Sequence, residues 1–218
     1  SSLWNNCSAK FDVMLDAENN LRSLYGIGFG VCRWQGLSHR ILDQLCVLSH
    51  LAHLSDRKEL CRLLGTAKQV CNHMGLNPTL DVFRQVCSLA VLKSHLSPEM
   101  RRRPLRFLMI GDGYGVLSSI VKSVLPDSVL VLVDIGKTLL FQGYYCQKAH
   151  PSSVHKYVDG VTDLEDTDFV YCPTEYLESL EKFKFDIAVN IASMQEMNSS
   201  TISRYFSFLR KCLRPDNL

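Results

Sequence analysis

The sequence predicts an α/β fold, a parallel sheet with flanking helices in the second half of the chain, preceded by an all-helical region. Three observations predict it. After Pro104, short apolar runs alternate with helical stretches as strand then helix, four times over. From about Leu37 to Leu96 the apolar residues recur only at helical spacing. The first apolar run also leads directly into a glycine-rich turn and then a helix, the arrangement by which an open parallel sheet meets a ligand at the carboxyl ends of its strands.

In the helical region, Leu37, Ile41, Leu45, Leu48 and Leu51 mark a first helix, and Leu60, Leu63, Leu64, Ala67 and Cys71 a second. Ser55 and Asp56 can cap the second, with Glu59 three residues after Asp56. Asn77 and Pro78 read as N-cap and first residue of a third helix running to about Ser94. Residues 1–100 are expected to form this helical part, a cap or a partner surface, and residues 101–218 the sheet domain. Strands are expected near Phe107 to Gly111, Val129 to Asp134, Phe169 to Cys172 and Phe185 to Ile191. Helices are expected near Val116 to Val124, Lys137 to His150, Tyr176 to Lys182 and Ser200 to Leu213.

The composition narrows the function classes. With 218 residues, 46% of them hydrophobic, the chain can bury a sizeable core. A net charge of +2 with interspersed signs gives no electrostatic footprint for nucleic acid or an anionic membrane. The one basic run, Arg101 to Arg103, reads either as a phosphate-binding patch or as a solvated linker entering a strand. Nine cysteines without a C-x-x-C pair point to a reduced, cytoplasmic protein in which thiols serve as small apolar side chains. No metal site is predicted, since His39, His50, His53, His73 and His95 form no H-E-x-x-H pattern. There is no signal-peptide pattern at the start and no apolar segment of spanning length, so a soluble protein is expected.

The run Leu108-Met109-Ile110-Gly111-Asp112-Gly113-Tyr114-Gly115 carries the functional argument. Glycine lacks a Cβ and tolerates positive φ, so bare backbone can approach a ligand there. A dinucleotide fingerprint would need a further glycine where Val116 stands, which weakens an NAD reading. The next strand ends at Asp134, about twenty residues on, where a carboxylate can accept hydrogen bonds from both hydroxyls of a ribose. Two other glycine clusters are decoys. Gly136-Lys137-Thr138 lacks the earlier glycine of a Walker A loop, Val131 standing in its place. Gly26-Ile27-Gly28-Phe29-Gly30 follows a segment, Asn20 to Tyr25, with no strand pattern, and reads as a mobile loop, a lid over the site.

The G-x-G-x-G spacing resembles the first motif of class I S-adenosylmethionine-dependent methyltransferases, in a Rossmann-like fold. Together with Leu139-Leu140, Tyr144-Tyr145 and the string Ser193-Met194-Gln195-Glu196-Met197 after the fourth strand, about Phe107 to Arg214 resembles the putative sugar O-methyltransferase family. The resemblance implies S-adenosylmethionine as cofactor, with Gly111, Gly113 and Gly115 lining its methionine part, Asp134 at its ribose, and Asp112, Tyr114 and Ile135 also among the cofactor-binding residues. Cys172 would lie near the adenine, or be plain core, and Asn190 beside the methyl-bearing sulfur. Glu196 is the candidate base for an acceptor hydroxyl, or a favourable charge at the next helix N-terminus. Ser193 and Gln195 would hold sugar hydroxyls or cap that helix.

The resemblance has departures. Met109 stands where many relatives carry an acid that contacts the donor's amino group, and Gly136-Lys137 alters the adenine side. The chain ends at Leu218, where the class turns into a fifth strand. A sheet truncated after its fourth strand is therefore expected, its edge covered by a second copy or another chain, or the chain being a fragment. The competing classes are a non-catalytic interaction module and, less favoured, an NAD-dependent oxidoreductase. The expected partner is a small-molecule acceptor, with neither nucleic acid nor membrane.

Overall fold

The computed structural model describes residues 12–18, 21–26, 31–32, 36, 57–159 and 166–214. The expected helix Leu37 to Leu51, its histidines, the caps Ser55 and Asp56, and residues 27–30 of the expected lid lie outside them.

Five parallel strands form the centre: β5 (Arg106–Ile110), β6 (Val129–Asp134), β7 (His155–Tyr157), β8 (Phe169–Pro173) and β9 (Ile187–Asn190), in the spatial order β7-β8-β6-β5-β9. The three inner strands are apolar almost throughout because helices cover both faces. Side chains alternate between two cores. Phe107, Met109, Leu130, Leu132, Phe169 and Tyr171 face one side. Leu108, Ile110, Val131, Val133, Val170 and Cys172 face the other. The chain builds outward from β5 through β6 to β8 and then returns to place β9 on the other flank of β5, so the topological switch point lies between β5 and β9. This is an α/β sheet consistent with a Rossmann-like fold.

The first face is covered by α1 (Arg57–Met74), α2 (Leu80–His95), α3 (Val116–Val124) and α4 (Gly136–Ala149). Buried residues of α1 and α2, Leu63, Val70, Val86 and Leu89 among them, belong to the same core as Phe107 and Met109. The other face is covered by a 3-10 helix, Thr174–Lys182, and by α5 (Ser199–Cys212). An α-helix is expected near Tyr176 to Lys182. The buried residues there are Leu177 and Leu180, three apart, which suits the three-residue turn of a 3-10 helix. Among the described residues no helix is long and apolar enough to cross a membrane.

The N-terminal region is not all helix. Asp12–Leu15 (β1) and Leu21–Tyr25 (β2) form an antiparallel hairpin, and Val31–Cys32 (β3) pairs with Asn77–Pro78 (β4). The segment before Gly26 is thus a strand, held down by tyrosines of the sheet domain. The hydroxyls of Tyr144 and Tyr145 donate to the Arg22 and Leu24 carbonyls at 2.8 and 2.5 Å. The Tyr114 hydroxyl donates to the Gly26 carbonyl and accepts from its N–H, both at 2.6 Å. The third helix also starts later than its sequence suggests. Thr79, not Asn77, is the N-cap of α2 and accepts from the Asp81 N–H, because Asn77 and Pro78 are committed to β4.

Two residues of the arginine run, Arg101 and Arg103, serve structural roles. Arg101 donates to the Leu96 and Lys93 carbonyls at the end of α2. Arg103 donates to Asp186 at 2.6 Å, and the other Asp186 oxygen accepts from the Arg106 N–H at 2.8 Å. The Asp186 side chain is fully buried, and Arg214 approaches to 3.4 Å. Burial opposes its charge, but the bonds from Arg103 and Arg106 and the two guanidinium charges outweigh it and hold the carboxyl below its usual range. Asp186→Asn is expected to cost about 1 to 2 kcal/mol near pH 7, because one charged acceptor must serve both donors. Since the folded value is depressed, this contribution is present in full above the unfolded value of about 4, declines below it and is lost as pH falls through the lower, folded value. Urea unfolding of the two proteins should therefore differ at pH 7 and converge toward pH 3.

Beyond β9 the sheet is extended by one parallel bridge between Phe185 and Leu213. Phe185 N–H donates to the Cys212 carbonyl at 2.9 Å, and Arg214 N–H donates to the Phe185 carbonyl at 3.0 Å. Phe185 pairs outward at this bridge, and β9 begins at Ile187.

Candidate functional site

A cleft of about 910 Å³ opens at the carboxyl ends of β5, β6 and β9, at the switch point. It brings together Gly111, Asp112, Gly113, Asp134, Ile135, Ser193, Gln195 and Glu196 from the sequence-predicted set. Gly113 and Asp134, from adjacent strands, share this one cavity.

The turn after β5 exists because its glycines occupy left-handed backbone. Gly111 has φ +71°, and a Cβ there would lie 2.1 Å from Ser193 Oγ. The 3-10 turn Ser193–Glu196 therefore packs onto bare backbone. Gly115 has φ +76° for a different reason. It is the N-cap of α3, and a Cβ would lie 2.4 Å from Cys146 Sγ of α4. Gly115 lets two helices approach and does not line the cleft.

Asp112 folds back over the start of α3, accepting from Ser118 N–H at 2.8 Å, Ser118 Oγ at 2.5 Å and Leu117 N–H at 3.3 Å. It satisfies amides of the first turn that have no partner within the helix. Burial nonetheless pushes its carboxyl up to about 6. Asp134 ends β6, and its two oxygens accept from Ile135 N–H and from Gln142 Nε2, each at 2.8 Å. Burial first, with the nearby Asp112 charge adding to it, pushes this carboxyl up to about 7. Ile135 beside it is exposed and apolar, a ledge at the cleft wall.

Four predicted residues do not contribute side chains to the cleft. The Tyr114 ring is wholly buried, stacked on Tyr145 at 4.6 Å between centroids, with its hydroxyl bound to Gly26. Gly115 packs helices, as above. Cys172 is fully buried in the second core, where burial pushes its thiol up to about 12. Asn190 does have the partners its position at the end of an apolar strand demands. Its amide donates to the Ile110 carbonyl at 3.0 Å and to Ser193 Oγ, and its oxygen accepts from Met194 N–H at 3.3 Å. It therefore stitches β9 to β5 beneath the cleft floor. Ser193 lines the cleft, but its hydroxyl donates to the Ile110 carbonyl at 3.1 Å. The cap of α5 is Asn198, accepting from Thr201 N–H at 2.8 Å, so Ser193, Gln195 and Glu196 are not its caps. Glu196 ends its own 3-10 turn, before the first turn of α5, and is exposed at the rim.

The sequence reading missed two sets of lining residues. Asp81, Arg84 and Gln85 come from the first turns of α2, and Thr174, Thr201, Arg204 and Tyr205 from the 3-10 helix and α5. Tyr205 is 2% exposed, and its hydroxyl has no hydrogen-bond partner among the described residues. Its apolar neighbourhood on α5 reads simply as core, so no sequence signal marks it. The cleft can therefore take a ligand with a polyhydroxylated part, an apolar ring and charged ends. The chain matches no model of a known protein family and no curated protein.

Proposed function

We propose that this cleft binds S-adenosylmethionine and that the chain is a methyltransferase acting on a hydroxyl of a sugar or glycosylated small molecule. The observation that carries the reading is the shared cleft of the Gly111–Gly113 turn and Asp134 at the switch point. The residues present suit such a donor. The left-handed Gly113 brings side-chain-free backbone to the cleft wall for its thioether side, and Asp134 offers two oxygens to a ribose diol beside the apolar Ile135 ledge. Two buried polar atoms of lining residues, Tyr205 Oη and Gln85 Oε1, have no partner among the described residues.

A bound donor would supply an electrophilic methyl group on a sulfonium. The chain's own tasks are to align an acceptor oxygen with that carbon and to take one proton from it. Glu196 at the exposed rim is the proposed proton acceptor, with Gln195 beside it to hold a neighbouring hydroxyl. The NAD reading is disfavoured by Val116, buried at 1% where a dinucleotide loop needs a third glycine.

A non-catalytic interaction module is the second reading, favoured by one observation. Val13, Met14 and Leu15 of β1 are each about half exposed, an apolar stripe on the hairpin. Titration calorimetry separates the readings: S-adenosylhomocysteine is expected to bind at about micromolar Kd, and NADH not at all. Absence of heat with both S-adenosylmethionine and S-adenosylhomocysteine would favour the module.

A further inference from the structure

Helix α2 contributes Asp81, Arg84 and Gln85 to the cleft at i, i+3 and i+4, the spacing that puts three side chains on one helical face. Their donors and acceptors are arranged in a recognisable way. Asp81 pairs with Arg84 through one oxygen and accepts from Gln85 Nε2 at 3.1 Å through the other. Gln85 is 9% exposed, and its carbonyl oxygen is buried with no hydrogen-bond partner among the described residues. A buried acceptor without a donor is unfavourable, and this one belongs to a residue of the cleft wall. Arg84 is half exposed, so most of its guanidinium donors remain open to a ligand. Acidic and amide oxygens beside a guanidinium complement a zwitterion, an ammonium next to a carboxylate. Among the lining residues, β5 offers no such side chain, since it contributes the buried, apolar Met109 and Ile110.

We infer that the first turns of α2 form the recognition site for an α-amino-acid group, Asp81 and Gln85 Oε1 taking the ammonium and Arg84 the carboxylate. The inference rests on the donor reading of the cleft and assigns its methionine end to the N-terminal helices. It replaces the acid that Met109 displaces on the strand, and it gives α2 a role beyond packing.

The test compares S-adenosylhomocysteine with methylthioadenosine, the same nucleoside thioether without the amino-acid group. The wild-type protein is expected to prefer S-adenosylhomocysteine by about 10- to 100-fold. Gln85→Leu and Arg84→Met are each expected to weaken S-adenosylhomocysteine about tenfold and to leave methylthioadenosine unchanged, with Arg84→Lys intermediate. Gln85→Leu removes an unpaired buried oxygen together with the 3.1 Å bond to Asp81, two opposed effects, so its melting temperature should stay near that of wild type while the amino-acid preference is lost. If Gln85→Leu does not fold, the half-exposed Arg84 carries the test alone. Variants that keep the wild-type ratio of the two affinities overturn the α2 site and leave the donor reading intact. A wild-type protein that binds neither nucleoside overturns the donor reading, and the α2 site with it.

Discussion

Gly111→Ala is expected to lower stability by about 3 to 4 kcal/mol, a fall in melting temperature of roughly 10 °C for a chain of this size. Two independent costs add. At φ +71° an L-residue costs about 1 kcal/mol relative to glycine. The larger cost is steric: the new methyl would sit 2.1 Å from Ser193 Oγ and 2.4 Å from Ser193 Cβ. Ser193 cannot swing aside cheaply, because Asn190 and the Ile110 carbonyl hold its hydroxyl. The Ser193–Glu196 turn must then lift away from β5, distorting the cleft as well. Removing the obstacle in a Gly111→Ala, Ser193→Gly double variant should recover the steric share and leave the backbone share, a coupling readable by a double-mutant cycle. Gly65→Ala is the control. Gly65 lies inside α1 with nothing within 4 Å of an added Cβ, so the same substitution should stabilise by about 0.5 to 1 kcal/mol. A Gly111→Ala protein melting within a degree or two of wild type would mean that the turn after β9 does not rest on Gly111.

How much of this was legible follows from the range over which each signal acts. The four expected strands are central or long enough to show as apolar runs, and they lie side by side in the order β8-β6-β5-β9. The strand β7 escaped because it has three residues, His155, Lys156 and Tyr157, and is stabilised by aromatic contacts that no run reveals. The Tyr157 ring packs 4.8 Å from Tyr171, and His155 stacks on Phe169 at the same distance. The hairpin strand β2 escaped for a similar reason. Only Leu24 in it is buried, and its fixing hydrogen bonds come from Tyr144 and Tyr145, about 120 residues away. Within the site, the glycines and Asp134 were readable because their function depends on local backbone and on strand ends. Asn190 was readable as a residue in need of a partner. That the partner is protein depends on the β5–β9 register, which pairs it with Ile110. The Cys172 side chain takes the core alternative of its two readings and the Tyr114 ring is buried, which sequence position could not decide because it places a residue at the sheet's rim without fixing which way its side chain points. The α2 residues were beyond sequence reading altogether, since only tertiary packing brings that helix to the cleft.

Asp134→Asn is expected to move affinity and stability in opposite directions. If both oxygens of Asp134 accept from a ribose diol, replacing the carboxylate removes charge from two hydrogen bonds and one acceptor outright. The affinity for S-adenosylhomocysteine should then fall about 100-fold at pH 8. The free protein should respond otherwise. Burial, reinforced by Asp112, raises the Asp134 carboxyl to about 7 in the folded state, above its unfolded value of about 4. The folded chain therefore holds this proton more tightly than the unfolded chain. Its stability contribution is full below pH 4, declines as pH rises from 4 to 7, and is lost above that. An amide has no charge to bury, so the variant should exceed wild type at pH 8 by about 1 to 2 kcal/mol, a value reduced for the water that reaches this half-buried position, and the gain should fade toward pH 4. The hydrogen bonds can be kept. Gln142 now donates to Asp134 and has a buried Oε1 without a partner, so turning its amide over lets that oxygen accept from the new side-chain N–H. In the wild type, affinity should rise between pH 6 and 8 as the carboxylate ionises, whereas the variant should show no such rise from this group. Thermal melts at pH 5 and 8, paired with calorimetry at the same pH values, read both effects. A variant that loses stability at pH 8 along with affinity would make Asp134 a structural acid. One that gains stability and still binds with full affinity would take the ribose away from Asp134.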